Sequence, residues 1–251
     1  MRLILALVAL TVAQAQTPKQ YTALRATTPI RVDGRLDDAA WAKAPWTDDF
    51  IDIQGPDHTK PRFRTRVKML WDDHYLYIAA ELEEPHVWAT LTEHDSVIFH
   101  DNDFEVFLNP SGDSLNYFEF EINALNTGWD LFLNKPYRAG GKADNSWEIP
   151  GLLTGVQVNG TIKDPCDRDR GWTVEIAFPW TGFASRAPVK RPAAGQEWRI
   201  NFSRVEWQTN IVAGKYEKVP KQPEDNWVWS PQGLIDMHVP DRWGYVRFAI
   251  E

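Results

Sequence analysis

The side chains best equipped for chemistry sit on two short alternating segments. Asp101-Asn102-Asp103 runs into Phe104-Glu105-Val106, and Tyr117-Phe118-Glu119-Phe120-Glu121 follows after a turn. In an extended chain alternate residues share a face, so Asp103 lies beside Glu105, and Glu119 beside Glu121. A carboxylate accepts two hydroxyl donors at once, which suits a vicinal diol. Two acids facing one substrate are also the equipment of glycoside hydrolysis, at about 5–5.5 Å for retention or about 6.5–9.5 Å for inversion. The oxygens of Asp101, Asn102 and Asp103 are hard donors of the kind calcium takes, without the spacing of an EF-hand loop. Asp33, Asp37 and Asp38 form a similar group, which helix capping explains equally well.

A second constellation is aromatic. The chain holds 13 tryptophans, and two of them close the run Asn226-Trp227-Val228-Trp229-Ser230-Pro231. Rings two positions apart point to one side of a strand. An indole offers a flat apolar surface and one N–H, so a pair presented outward suits a ligand with C–H faces and hydroxyl rims, such as a sugar. Packed inward, the same rings are core.

Composition narrows the classes of function. Of 251 residues 43% are hydrophobic, enough for a real core. A net charge of −8, with Lys and Arg dispersed, argues against nucleic acid or an anionic membrane as partner. The single cysteine, Cys166, excludes an internal disulfide framework. Met1-Arg2, an apolar run from Leu3 to Val12 and the ending Ala13-Gln14-Ala15 follow the plan of an export signal. The apolar run is too short to span a bilayer. Residues 1–15 are therefore expected to be a signal peptide, the mature protein periplasmic or secreted, and residues 17–251 a single domain and a monomer. No nucleophile elbow, zinc-protease motif or phosphate loop occurs, and the six histidines show no metal-ligand spacing. Haem is not expected: Met69 reads as core, and Met237-His238 are adjacent and cannot readily reach one iron from opposite sides.

These residues need a scaffold, and the scaffold reads as all-β. Segments 62–71, 75–82, 103–108, 115–123, 129–134, 155–163, 172–178, 198–205 and 243–250 alternate or are strand-rich, with turn residues between them. Helical periodicity is confined to Asp37–Ala44 and one turn at Pro179–Phe183. Stretches 182–195 and 213–225 read as loops. This spacing predicts an antiparallel β-sandwich of jelly-roll or immunoglobulin-like type.

Four motifs in order carry a resemblance. They are Ile30-Arg31-Val32-Asp33-Gly34-Arg35-Leu36-Asp37-Asp38-Ala39-Ala40-Trp41, Val67 to Ala79, Asp101 to Leu108, and Gly171 to Trp180. Together they are similar to family 9 carbohydrate-binding modules. The resemblance implies a sandwich that clamps a terminal sugar between two aromatic rings, with calcium at structural sites away from the sugar. Glu105 matches the family's acidic sugar contact, and Asn226 with Trp229 matches its late Asn and Trp pair. Phe99 stands where the family has the first clamp tryptophan, and Glu121 roughly where sugar-binding members have an arginine.

The resulting expectation is an exported, non-catalytic carbohydrate-binding protein, accessory to polysaccharide degradation. Its ligand residues would be Phe99, Glu105, Asn226, Trp227 and Trp229, and calcium would lie at Asp101 and Asp103. Two alternatives stay open: a glycoside hydrolase pairing Glu105 with Glu119 or Glu121, and a sandwich whose tryptophans serve packing and partner contacts.

Overall fold

The structure, a computed structural model, describes residues 17–250. The expected signal peptide lies outside the described residues. Among the described residues fifteen strands follow in chain order: β1 Gln20–Arg25, β2 Ile51–Asp52, β3 Thr65–Trp71, β4 Tyr75–Glu83, β5 Asp103–Asn109, β6 Tyr117–Asn123, β7 Gly128–Leu133 and β8 Ala143–Asp144. The remainder are β9 Leu153–Asn159, β10 Gly171–Pro179, β11 Glu197–Glu206, β12 Thr209–Val212, β13 Lys215–Lys218, β14 Asp225–Val228 and β15 Gly244–Ala249. The expected helix at Asp37–Ala44 is only a 3-10 turn at Ala39–Ala42, and a second such turn spans Trp180–Phe183. The segment expected as a loop at 213–225 contains β13, which closes a small hairpin with β12. Among the described residues no helix is long and apolar enough to cross a membrane.

Hydrogen bonding links the strands in the order β8-β7-β6-β5-β11-β15-β1-β3-β4-β10-β9, with β14 also paired to β11 and β2 to β14. Most pairs are antiparallel as expected, but β1 lies parallel to both β15 and β3. The sheet curls so that β5, β6 and β11 pack across a common core from β3, β4 and β10. Phe104, Val106, Phe118, Phe120, Ile122 and Phe202 meet Val67, Met69, Trp71, Ile78, Val174 and Ile176 there. The alternation that spaced Val67, Met69 and Trp71 in the sequence is what puts them on this inner face.

The N-terminal signature covers the outer face of the second half. Trp41 is buried against Leu70, Tyr77, Ala79 and Ala177. Glu175 on β10 organises this cover, accepting hydrogen bonds from the Asp33 and Gly34 amides at 3.0 and 2.9 Å and from Trp41 Nε1 at 2.7 Å. Gly34 has φ +83°, and an added Cβ would meet the Val156 and Gln157 backbone at 2.5 Å. The acidic side chains of this segment serve local bonding: Asp38 accepts from the Arg31 amide, Asp33 from the Arg35 amide, and Asp37 pairs with the Arg35 guanidinium.

Candidate functional site

The outer face of β5, β6, β7, β11 and β14 is concave and only partly covered. Register sets its floor in rows. One row runs Trp129, Glu121, Glu105, Ser203, Val228 across β7, β6, β5, β11 and β14. The next runs Asn123, Asp103, Val205, Asn226. Phe99, from the 3-10 turn before β5, stands at one edge. Tyr137 and the segment Ile235–His238 stand over the floor as well. The open cleft has a volume of about 510 Å³, within the range of small-ligand sites. A larger depression of about 660 Å³ lies elsewhere, between Pro110–Asn116 and Ala187–Trp198. Its lining pairs the acids Asp113 and Glu197 with Lys190 and Arg191 and holds a single ring, Trp198.

Glu105, Glu119 and Glu121 line the floor with Asp103 beside Glu105 on β5, and all four are buried; Glu224 and Asp236 are further acids of the lining. Burial pushes Glu105 up to about 7. It also holds Asp103, Glu119 and Glu121 well above the usual carboxylate range, and repulsion among them adds to the effect. No Lys or Arg lines this cavity. One oxygen each of Asp103, Glu105 and Glu121 falls within 4.8 Å of the others. Asp103 Oδ1 accepts from the Val205 amide at 3.2 Å, whereas its Oδ2 is buried and has no partner within the protein. Glu119 Oε2 is likewise buried and unpaired.

The apolar walls are aromatic. Phe99 and Trp129 lie 6.3 Å apart between ring centroids, with planes tilted by 33°. Phe99 is pinned through its backbone: its amide donates to Glu121 Oε2 at 3.0 Å, and its carbonyl accepts from Trp207 Nε1 at 2.8 Å. Trp129 Nε1 is buried without a partner. Tyr137 meets His238 edge-on at 4.4 Å. His238 Nδ1 lies 3.0 Å from the Tyr117 hydroxyl, and burial lowers its pKa to about 4, leaving the ring neutral at physiological pH.

The sequence-derived site is therefore split. Phe99, Glu105 and Asn226 all line the cleft. Trp227 and Trp229 do not. Both are core residues, 2% and 1% exposed. Trp229 packs edge-on to Tyr21 at 6.5 Å and against Phe202 at 5.9 Å, and Trp227 lies over Arg204 at 5.2 Å. The two indoles do share a face, but it is the inner one. Asn226 and Val228 take the other side of β14, so Asn226 and Trp229 cannot grip one ligand together. The expected metal pair separates in the same way. Asp101 is engaged in local bonding, with Thr90 Oγ1, the Thr90 and Leu91 amides and Asn123 Nδ2 donating to it at 2.7, 2.7, 2.8 and 3.0 Å. It anchors a loop. Asp103, with Glu105 and Glu121, retains the donor set that a hard cation needs.

Trp129, Tyr137 and His238 are cleft residues that sequence reasoning missed. The signal for Trp129 was present. A tight turn after Asn123 pairs β6 with β7, and that register sets Trp129 opposite Glu121. Tyr137 and His238 arrive from loops, for which periodicity carries no signal.

Comparison with known proteins agrees with this fold. The family described as "Carbohydrate family 9 binding domain-like" matches residues 32–227. A curated relative, Exoglucanase XynX of Acetivibrio thermocellus, is 25% identical over 154 residues. That match covers 61% of this chain but 12% of the relative's length. Among solved structures, a family 9 carbohydrate-binding module from Caldicellulosiruptor kristjanssonii in complex with cellotriose superposes with a TM-score of 0.61 at 16% identity, covering 93% of this chain and 95% of that one. The same organism's module in complex with glucose gives 0.62 at 16% identity, over 93% and 97%. A candidate carbohydrate-binding protein from Bacteroides uniformis gives 0.67 at 16% identity, over 92% and 100%. With a family match spanning most of its length, the chain belongs to the carbohydrate family 9 binding domain-like family.

Proposed function

We propose that this protein binds carbohydrate in the β5–β6–β7–β11–β14 cleft, as an exported, non-catalytic accessory to polysaccharide degradation. The observation that carries the proposal is the pairing of aromatic rings with polar side chains in the lining of one cavity. Trp129 and Phe99 supply the rings, and Glu105, Glu119, Glu121 and Asn226 the polar groups. A pyranose has complementary C–H faces and hydroxyls. Glu105 accepts hydroxyls at the centre of the floor, and the Asn226 amide reaches in from β14. The sugars held by the superposed modules and the exoglucanase relative support glucan-type ligands. The export signal read from residues 1–15 supports the location.

Calcium belongs to the same proposal. Its place is the oxygen cluster of Asp103, Glu105 and Glu121, where it offsets the charge of acids that no Lys or Arg approaches in the cleft.

The test is calorimetric titration of the mature chain with glucose and cello-oligosaccharides, alongside a glycan array. Binding is expected for the protein and loss of at least tenfold in affinity for Glu105→Gln and Trp129→Ala. If no sugar in a broad panel releases heat or shifts the melting temperature, the proposal is wrong. Release of reducing ends, lost in Glu105→Gln, would instead establish a hydrolase.

A further inference from the structure

On the other side of β7 from the cleft, three carboxylates converge on one imidazole nitrogen. His94 and Asp95 come from the loop after β4, Asp130 from β7, and Glu148 from the segment before β9. His94 Nε2 lies 3.0 Å from Glu148 Oε2, 3.4 Å from Asp130 Oδ1 and 3.5 Å from Asp95 Oδ1. All four donor atoms fall within 4.8 Å of one another. Asp130 is 1% exposed. Its Oδ2 is occupied by the Ile149 amide, while its Oδ1, aimed at His94, is buried without a hydrogen-bond partner. Asp95 Oδ1 is buried and unpaired in the same way. The loop is held in place for this: Asp95 adopts φ +63° and its amide donates to the Gly128 carbonyl at the start of β7. Among the described residues no Lys or Arg pairs with Asp95, Asp130 or Glu148.

We infer that His94, Asp95, Asp130 and Glu148 form a binding site for one divalent transition-metal ion of the zinc class. The chemistry follows from the donor set. One neutral imidazole nitrogen with three carboxylate oxygens suits borderline ions such as zinc, cobalt or manganese, whereas calcium takes oxygen donors alone. The geometry agrees. A tetrahedral ion with bonds of about 2.0–2.1 Å sets its ligands about 3.3 Å apart, and the three distances to His94 Nε2 bracket that value. Two buried oxygens that lack partners gain one, and the accumulated negative charge is neutralised. The ion would tie the 93–96 loop and the 145–149 segment to β7, behind Trp129. The competing arrangement has protonated His94 as the only counter-ion, a role its raised pKa also fits.

The experiment uses the mature chain freed of metal by chelation. Cobalt(II) titration is expected to develop the visible absorption of a tetrahedral N/O site and to saturate at one equivalent. Zinc should displace the colour, and excess calcium should not. Zinc at about a hundredfold over its Kd should raise Tm by about 5–10 °C. His94→Gln and Glu148→Gln, both at exposed side chains, should abolish the cobalt spectrum while near-ultraviolet circular dichroism stays native. Asp130→Asn should do the same at nearly equal volume. An absent spectrum with an unmoved Tm overturns the inference, as does cobalt binding that survives His94→Gln. Sugar titration of the zinc-free chain is a separate readout, so failure of the carbohydrate reading and failure of this one are distinguishable.

Discussion

At the scale of single residues, the face a side chain takes and the partners it finds there, rather than residue type, separate function from support. Trp229 and Trp129 are the same side chain on opposite faces of one half of the fold. Trp229→Ala is expected to cost about 3–5 kcal/mol, as for other large core truncations, visible as a fall in Tm of roughly ten degrees or more. Trp129→Ala should lower Tm by less and act chiefly on sugar affinity. If instead Trp229→Ala keeps the native Tm and loses binding selectively, the placement of this ring in the core is wrong. Asp101 and Asp103 separate in the same manner. Asp101→Ala leaves the Thr90 and Leu91 amides unpaired and should destabilise by at least about 1–3 kcal/mol, measured by urea denaturation and unaffected by calcium. Neither contrast could be read from spacing. Period 2 says that Trp227 and Trp229 share a side, but not which side is covered.

At the scale of elements, the fold depends on a few close approaches between segments distant in sequence. Gly34 and Gly155 let the N-terminal signature pass directly over β9, where an added Cβ on either would lie about 2.5–2.6 Å from backbone atoms. Gly34→Ala is therefore expected to strain this crossing and to raise hydrogen-exchange rates along Leu153–Asn159, with β5 and β6 unaffected. Uniform exchange across the domain would contradict it. Arg204 on β11 makes a second junction, buried with Glu84 and Glu206 at 2.7 and 2.8 Å. Arg204→Ala leaves buried Glu84 without its cation and Glu206 with only Arg62 at 3.8 Å, and should cost about 3–5 kcal/mol, read as a lower urea midpoint. The long strands β3 to β6, β10 and β11 were legible because alternation is strong where one face meets a core. The short strands β2, β8 and β14, and the parallel insertion of β1 between β15 and β3, were not. Two- to six-residue segments carry little pattern, and their pairing is set by partners far along the chain.

At the scale of the whole molecule, buried acids make stability depend on pH. A carboxyl whose folded pKa is raised binds more protons folded than unfolded, so stability falls as pH rises through the interval between the two values. Glu105, moved from 4.5 to about 7, and Asp130, moved from 3.8 to about 6, both act in this direction. His94, also raised, adds to it. His238, lowered from 6.5 to about 4, opposes them, gaining stability as pH rises across that range. The carboxyls of the cleft outnumber it. In the presence of chelator, Tm should drop by several degrees from pH 5 to pH 8, and added calcium should restore it at pH 8; a Tm that rises with pH would refute the upward shift of these carboxyls. The sequence by itself determined the all-β class, the inner faces of the long strands and the family, because these follow from local alternation and ordered motifs. It also singled out Phe99, Glu105 and Asn226. Only the tertiary structure decided that Trp227 and Trp229 are core, that Asp101 is an anchor, and that Trp129, Glu119, Glu121 and His238 complete the cleft. The reason is physical: alternation sorts side chains into two sides, and the curl of the sheet decides which side is covered and which stays open to a ligand.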